Sequence, residues 1–374
     1  MAIIERLKVD GFRNLADVDL MPSSGFNLVT GVNGSGKTSF LEAIHVLSVG
    51  KSFRTQRIDS LVNVDKNDFV IYGDFQPGDL SAGLQKSRQG KTTLRFQGQT
   101  QRNWQELASA LPLQVINSDS FALLEAGARY RRRFMDWAVF HVEHDYLQAW
   151  RGYQRCLAQR NALLKSFSGG SHNHSISELD PWERELARCG EIVHHKRMSL
   201  LKAFEPLLSV LVDELMPYKS LSLTYKPGWD DTLAGGIQES LDNTRARDIR
   251  YGATQHGPHR ADFVLSEGGR NVVEIFSRGQ LKMLVCALKL AMGDLVLSRY
   301  EEANKRYGCI YLVDDLASEL DAHNRELVTQ LLAETGAQCF FTAISPDDLV
   351  KVRDAVSEHS GKFHVEHGKI LAVQ

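Results

Sequence analysis

The chain has 374 residues, enough for a large core and for two domains. A net charge of −2 gives no global attraction to nucleic acid, so any such contact has to be a local basic patch. Five scattered cysteines (Cys156, Cys189, Cys286, Cys309, Cys339) with no Cys-x-x-Cys pair exclude a disulfide framework or a zinc site, and with no signal-peptide pattern and no apolar run of membrane-spanning length the expectation is a cytoplasmic protein that does not enter a membrane.

In chain order, residues 7–9 and 18–20 read as short strands, and Phe26–Thr30 as an apolar strand entering a glycine loop. That loop, Gly31-Val32-Asn33-Gly34-Ser35-Gly36-Lys37-Thr38, fits the P-loop template of two glycines, then Lys and Ser/Thr. Phe40, Ile44 and Leu47 recur at helical spacing after it. Strand, glycine loop and helix N-terminus form an anion cradle: backbone N–H groups converge on phosphate and the helix dipole favours negative charge. Lys37 would reach the β- and γ-phosphates, and Thr38 would offer its hydroxyl to Mg²⁺. The expected cofactors are ATP and Mg²⁺.

Residues 69–72 and 93–96 continue in strand-like fashion around polar turns, as an antiparallel layer would. Near Phe121 the pattern changes. Residues 129–164 lack proline, and Tyr146, Trp150, Tyr153 and Leu157 lie on one helical stripe, which predicts core packing rather than a base-stacking platform. A polar loop at 166–175 precedes a second helix from about Trp182, with Leu186, Cys189, Val193 and Leu200 on one face. Strand character returns at 220–225, 261–265 and 272–275, and a long helix begins near Gly279. Residues 309–313 and 337–341 are apolar runs of buried-strand length around a helix at 323–334, a βαβ unit. The spacing predicts an α/β ATPase domain from residues 1–118 and 255–374, with a helical arm, 119–254, inserted between.

Two further pieces belong to the predicted site. The strand ending in Asp314-Asp315 has the Walker B arrangement: Asp314 would hold the Mg²⁺ shell and Asp315 would orient the attacking water. Ser277-Arg278-Gly279-Gln280 opens the long helix. Alone it is an N-cap; in ABC-type ATPases a Ser-x-Gly-Gln element at this place meets the γ-phosphate of a second subunit's nucleotide by helix-terminus logic.

Taken together, residues 9–15 (Val-Asp-Gly-Phe-Arg-Asn-Leu), the P-loop, residues 51–54 (Lys-Ser-Phe-Arg), 130–136 (Tyr-Arg-Arg-Arg-Phe-Met-Asp), 257–260 (Gly-Pro-His-Arg), 277–282 (Ser-Arg-Gly-Gln-Leu-Lys) and 314–321 resemble the RecF family of bacterial DNA repair and recombination ATPases along essentially the whole chain. The resemblance implies an ABC-type head like that of SMC proteins. It implies ATP-dependent head-to-tail dimerisation, slow hydrolysis, and sequence-independent binding of single-stranded and gapped duplex DNA. It also implies loading of recombinase with RecO and RecR, in repair, replication restart and the SOS response. The sequence departs from the wider ABC pattern at Asp315, where Glu is usual. No switch histidine follows in Thr342-Ala343-Ile344-Ser345, so Thr342 and Ser345 are the sensor candidates, and Asn117 stands in the region of a Q-loop glutamine.

Two basic clusters are candidate DNA contacts: Lys51, Arg54 and Arg57, and Arg131, Arg132 and Arg133 beside Arg129. The second is equally readable as a solvated helix face or as internal pairing with Asp136 and Glu125. His256 and His259 read as turn residues rather than ligands. The alternatives to a DNA-binding switch are a transporter's ATPase subunit and a P-loop kinase; the inserted arm and Asp315 speak against the first, the Ser-Arg-Gly-Gln element against the second.

Overall fold

A computed structural model describes residues 2–57, 59–78, 80–143, 145–168, 175–216, 221–302, 308–345 and 360–373. The chain divides into two compact units. The first takes Met1–Phe121, Leu211–Pro217 and Ser277–Gln374; the second takes Ala122–Val210 and Tyr218–Phe276.

The first unit holds two six-stranded sheets. In one, the order is Lys369–Ala372, Gly361–Glu366, Phe26–Thr30, Cys339–Ala343, Ile310–Val313 and Leu113–Ile116. Its strands are parallel except for the last, Lys369–Ala372, which pairs antiparallel with Gly361–Glu366. The central strands Ile310–Val313 and Cys339–Ala343 are buried throughout, as strands covered on both faces must be. The other sheet is antiparallel, ordered Val18–Leu20, Ile3–Asp10, Asp68–Gln76, Leu80–Ser87, Thr92–Phe96 and Gln99–Gln101. Its first long strand buries Ile4, Leu7 and Val9, the alternation being offset by a register shift between Ile4 and Arg6. The helix Lys37–Val49 sits in one core with both sheets, burying Phe40, Leu41, Ile44 and Leu47 among Ile71, Leu84, Phe340 and Phe363.

The second unit contains the helices Ala128–Val142, Tyr146–Ser168 and Gly236–Tyr251, most of Asp180–Leu215, and a three-stranded sheet of Leu221–Lys226, Asp262–Glu267 and Arg270–Asn271. Tyr153, Cys156 and Leu157 pack with Leu186, Cys189, Trp229, Ile237 and Leu241, so the aromatic stripe is core. Inside it Arg160 is fully buried, bonded to Glu183 (3.0 Å), Asp248 (2.8 Å) and Thr254 (2.7 Å).

The structure corrects three expectations. The helical stretch 129–164 is two helices, broken at Glu143, whose backbone is extended. Residues 272–275 form a short helix, not a strand, because the Asn271 side chain accepts from Val273 N and turns the chain. The second unit runs on to Phe276 rather than ending at 254, since Asp262–Glu267 pairs antiparallel with Leu221–Lys226 across a long interval of sequence. Most of the polar loop at 166–175, and Ser220, lie outside the described residues. Among the described residues no helix is long and apolar enough to cross a membrane.

Candidate nucleotide site

The P-loop connects Phe26–Thr30 to the helix Lys37–Val49. Gly31 has φ +153°, and a Cβ there would stand 2.4 Å from the Val365 carbonyl, so only glycine lets the loop pass. The loop is braced from outside. Asn14 Nδ2 donates to the carbonyls of Gly34 (3.2 Å) and Ser35 (2.9 Å), and Gly368 N donates to Ser35 O (3.1 Å). Ser35 Oγ is buried without a hydrogen-bond partner among the described residues, a polar atom facing a cradle whose natural occupant is an anion. Lys37 curls back, donating to Gly31 O (2.7 Å) and Val32 O (3.1 Å). Burial lowers its pKa, and Asp315 and Asp314 oppose that shift.

The topology then brings three segments together. Cys339–Ala343 lies between the P-loop strand and Ile310–Val313. The strand carrying Thr342 therefore lies between the one that leads to Thr38 and the one that ends at the two aspartates. Thr38 Oγ1 (3.0 Å) and Thr342 Oγ1 (2.7 Å) both donate to Asp314 Oδ1, and Thr342 Oγ1 accepts from Asp315 N (2.9 Å). Asp314 N donates to Ile116 O (2.9 Å), which fixes the aspartates at the strand ends. Asp315 is left-handed, φ +50°, and opens the turn Leu316–Glu319. Burial raises the pKa of Asp314; the two hydroxyls lower it, Asp315 raises it and the Arg54 charge lowers it. A half-buried carboxylate, with a threonine hydroxyl 3.0 Å away, is an oxygen donor set suited to a hard divalent cation. The residues present thus fit both Mg²⁺ (Thr38, Asp314) and a triphosphate (Gly31 to Thr38).

Ser277 and Gln280 form a reciprocal capping box at the head of Arg278–Glu302. Ser277 N donates to Gln280 Oε1 (2.8 Å), and Gln280 N donates to Ser277 Oγ (3.3 Å). Ser277, Arg278 and Gly279 are exposed, so the helix head with its Ser-x-Gly-Gln residues faces outward. Asn117 follows the strand paired with Ile310–Val313 and accepts from Ser120 N (2.9 Å) and Oγ (2.7 Å). Of the two sensor candidates, Thr342 is in the aspartate cluster, and Ser345 lies beyond the strand end.

The basic residues divide. Arg54 lies 3.6 Å from the fully buried Glu42 of the P-loop helix and is otherwise exposed. Arg57 pairs with Asp59 (2.9 Å), and Lys51 is exposed. Arg131 clasps Asp262 (2.7 and 2.8 Å) and donates to Leu124 O, while Arg132 donates to Ala261 O (2.7 Å). Both hold the second unit's own fold, and their partners are not the expected Asp136 and Glu125; Asp136 instead accepts from Arg197 and Tyr146. Arg133 is exposed. His259 is structural: Nε2 donates to Thr254 O (3.1 Å), which leaves Nδ1 to accept from Tyr153 Oη (2.6 Å). His256 stands 3.3 Å from Ser240 Oγ.

Sequence reasoning missed the brace. Arg13 grips Glu42 with two bonds (2.7 and 2.8 Å), and Ser52 Oγ donates to the same carboxylate. The available signal was a glutamate on the buried side of an otherwise apolar helix.

Residues 3–369 match the family described as the RecF/RecN/SMC N terminal domain. A protein of Pseudomonas paraeruginosa named DNA replication and repair protein RecF is 40% identical over 98% of this chain and 97% of its own length. Among solved structures, the recombination mediator protein RecF-ATP in the RecFOR pathway superposes with a TM-score of 0.86 at 24% identity, covering 100% of this chain and 98% of that one. The Smc head domain of Pyrococcus furiosus, with an extended coiled coil, has a TM-score of 0.56 at 17% identity over 100% and 97% of the two chains. The fold is that of RecF and SMC heads, an α/β ATPase head with a mainly helical insertion.

Proposed function

Since this chain belongs to the RecF family of DNA replication and repair proteins, we propose that it is an ATP-driven switch on DNA. The observation that carries the reading is the Asp314 carboxylate gathering Thr38 of the P-loop and Thr342 of the neighbouring strand, with Asp315 tied to the same hydroxyl. ATP supplies the phosphoryl group and Mg²⁺ neutralises its charge. Residues Gly31 to Thr38 bind the phosphates, Thr38 and Asp314 hold the cation, and Asp315 orients the water that attacks. Ser277, Gly279 and Gln280 of a second copy cover the nucleotide from the far side, so binding joins two heads and hydrolysis parts them. The aspartate at 315, shorter than glutamate, suits slow turnover.

DNA is held through phosphates, without sequence preference and with steep salt dependence. Lys51 and Arg133, both exposed, are the better candidates among the six basic residues. The setting is cytoplasmic repair and replication restart, including the SOS response, with RecO and RecR as partners in placing recombinase at gapped DNA. Family membership leaves the transporter and kinase readings without support.

The test is sizing of the protein by light scattering with ATP, ADP or no nucleotide, with and without gapped DNA, at two salt concentrations. A dimer with ATP alone, and DNA binding that weakens steeply with salt, are expected. Particles that stay single under every condition would overturn the switch.

A further inference from the structure

Lys282, which ends the 277–282 motif, has no part in the nucleotide site as described. It lies in the second turn of the helix Arg278–Glu302, rigidly linked to the Ser277–Gln280 box. Its ammonium is half-buried, pairs with the Glu319 carboxylate (2.7 Å) and donates to the Glu319 carbonyl (2.9 Å). Its Nζ also stands 5.6 Å from the centroid of the Phe121 ring. A lysine that engages carboxylate, carbonyl and ring together has a single low-energy position, unlike a surface lysine in a solvated pair.

Each partner ends a short turn that begins at a functional residue. Glu319 closes Leu316–Glu319, the turn that Asp315 opens, and Ser318 N and Oγ both bond the Asp315 carbonyl (3.1 and 2.9 Å). Phe121 closes Ser118–Phe121, the turn capped by Asn117, and is the last residue before the second unit begins. One ammonium thus ties the serine-headed helix to the turn that aims Asp315 and to the segment from which the inserted unit departs. Leu281 and Leu284 on the helix and Leu316 on the turn are buried. Packed elements shift as units, so a displacement of the helix head is transmitted rather than absorbed.

We propose that Lys282 is a positioning residue that couples engagement of the Ser277 helix to the orientation of Asp315, so that the carboxylate reaches its working geometry only when that helix is docked on a nucleotide. The inference rests on the reading of Ser277 as the element that covers a second copy's ATP. Lys282 touches neither nucleotide nor water; it acts through Glu319.

The experiment compares the wild-type protein with Lys282→Ala, Lys282→Arg, Glu319→Ala and the Lys282→Ala/Glu319→Ala pair. For each, melting temperature, ATP affinity, ATP-dependent dimer formation and the hydrolysis rate per dimer are measured. Lys282→Ala is expected to keep ATP affinity within about twofold, because the P-loop is untouched, and to lose roughly tenfold or more in kcat, the scale on which misplaced catalytic groups act. Lys282→Arg, which retains the charge on a longer arm, should recover most of that loss. The double variant should be no slower than the worse single one, as members of one unit behave. An unchanged kcat in Lys282→Ala, or losses that multiply in the double variant, would overturn the coupling while leaving the switch standing. A wild-type protein that stays monomeric with ATP would remove the switch, and the coupling with it. Loss of kcat matched by an equal fall in melting temperature and in ATP affinity, with no rescue by arginine, would reduce Lys282 to a structural residue and equally overturn the proposal.

Discussion

Lys37 shows how much of the site is set by single side chains. Its ammonium already bonds two carbonyls of its own loop, and burial lowers its pKa against the pull of Asp315 and Asp314. A phosphate has to replace those carbonyls as its partner, which exchanges neutral acceptors for a charged one. Lys37→Ala is therefore expected to weaken ATP binding by about 1.5–3 kcal/mol, roughly ten- to a hundredfold. Titration calorimetry checks this, and unaltered affinity would refute the cradle. Such residues were legible in the sequence because contiguous motifs carry them: a P-loop is a local object, and so is an apolar strand ending in Asp314-Asp315. The role of Thr342 was only half legible. Its hydroxyl joins Asp314 to Asp315 N because its strand lies between the P-loop strand and the one that ends at the aspartates, and strand order is not written in any window of residues. The pairing of Arg54 with Glu42 was not legible for the same reason: it joins two separate segments, and a run of basic residues shows no such partner by itself.

At the scale of elements, the P-loop helix is gripped along its length. Its N-terminus carries the cradle. At its C-terminus Gly50 is left-handed (φ +74°), Lys86 donates to the Gly50 carbonyl (2.7 Å), and the Trp104 ring packs where a Cβ at Gly50 would stand 2.5 Å away. Lys86 there also offsets the negative end of the helix dipole. In the middle, one turn after Thr38, the buried Glu42 accepts from Arg13 and Ser52 and stands 3.6 Å from Arg54. Removing one partner of a buried ion pair leaves the other charge without compensation, which typically costs several kcal/mol. Arg13→Ala should lower unfolding stability by about 3 kcal/mol. Urea denaturation measures it, and a loss within about 0.5 kcal/mol, the range of ordinary surface changes, would show that Ser52 and Arg54 suffice. Elements built on periodicity were the legible ones: Phe26–Thr30, Ile310–Val313 and the helices on either side. Residues 272–275 misread as a strand because Val-Val-Glu-Ile suits either state, and a single asparagine cap decides it.

At the scale of the whole molecule, the sequence announced an ATPase head interrupted by a helical insertion, because composition and periodicity change abruptly near Phe121. The return point was not legible: it moves to Phe276 because pairing of Leu221–Lys226 with Asp262–Glu267 recruits the intervening chain. What the whole chain would do rests on a geometric asymmetry. The P-loop and the Ser277 helix head are both in the first unit, yet if two copies associate head to tail, each nucleotide is held by the loop of one copy and the helix of the other. Ser277→Arg places a bulky cation at the helix head but leaves its own P-loop intact, so it should still bind ATP as a monomer. Lys37→Ala lacks the cradle's charge but keeps a sound helix head. Neither can build a complete site with copies of itself. Mixed, they can build one: the loop of the Ser277→Arg chain against the helix of the Lys37→Ala chain. Scattering and hydrolysis of the mixture should therefore show ATP-dependent dimers and partial turnover, where each variant alone shows neither. A mixture no more active than its components would mean that each nucleotide is served by one chain only, and that the helix head has a different task.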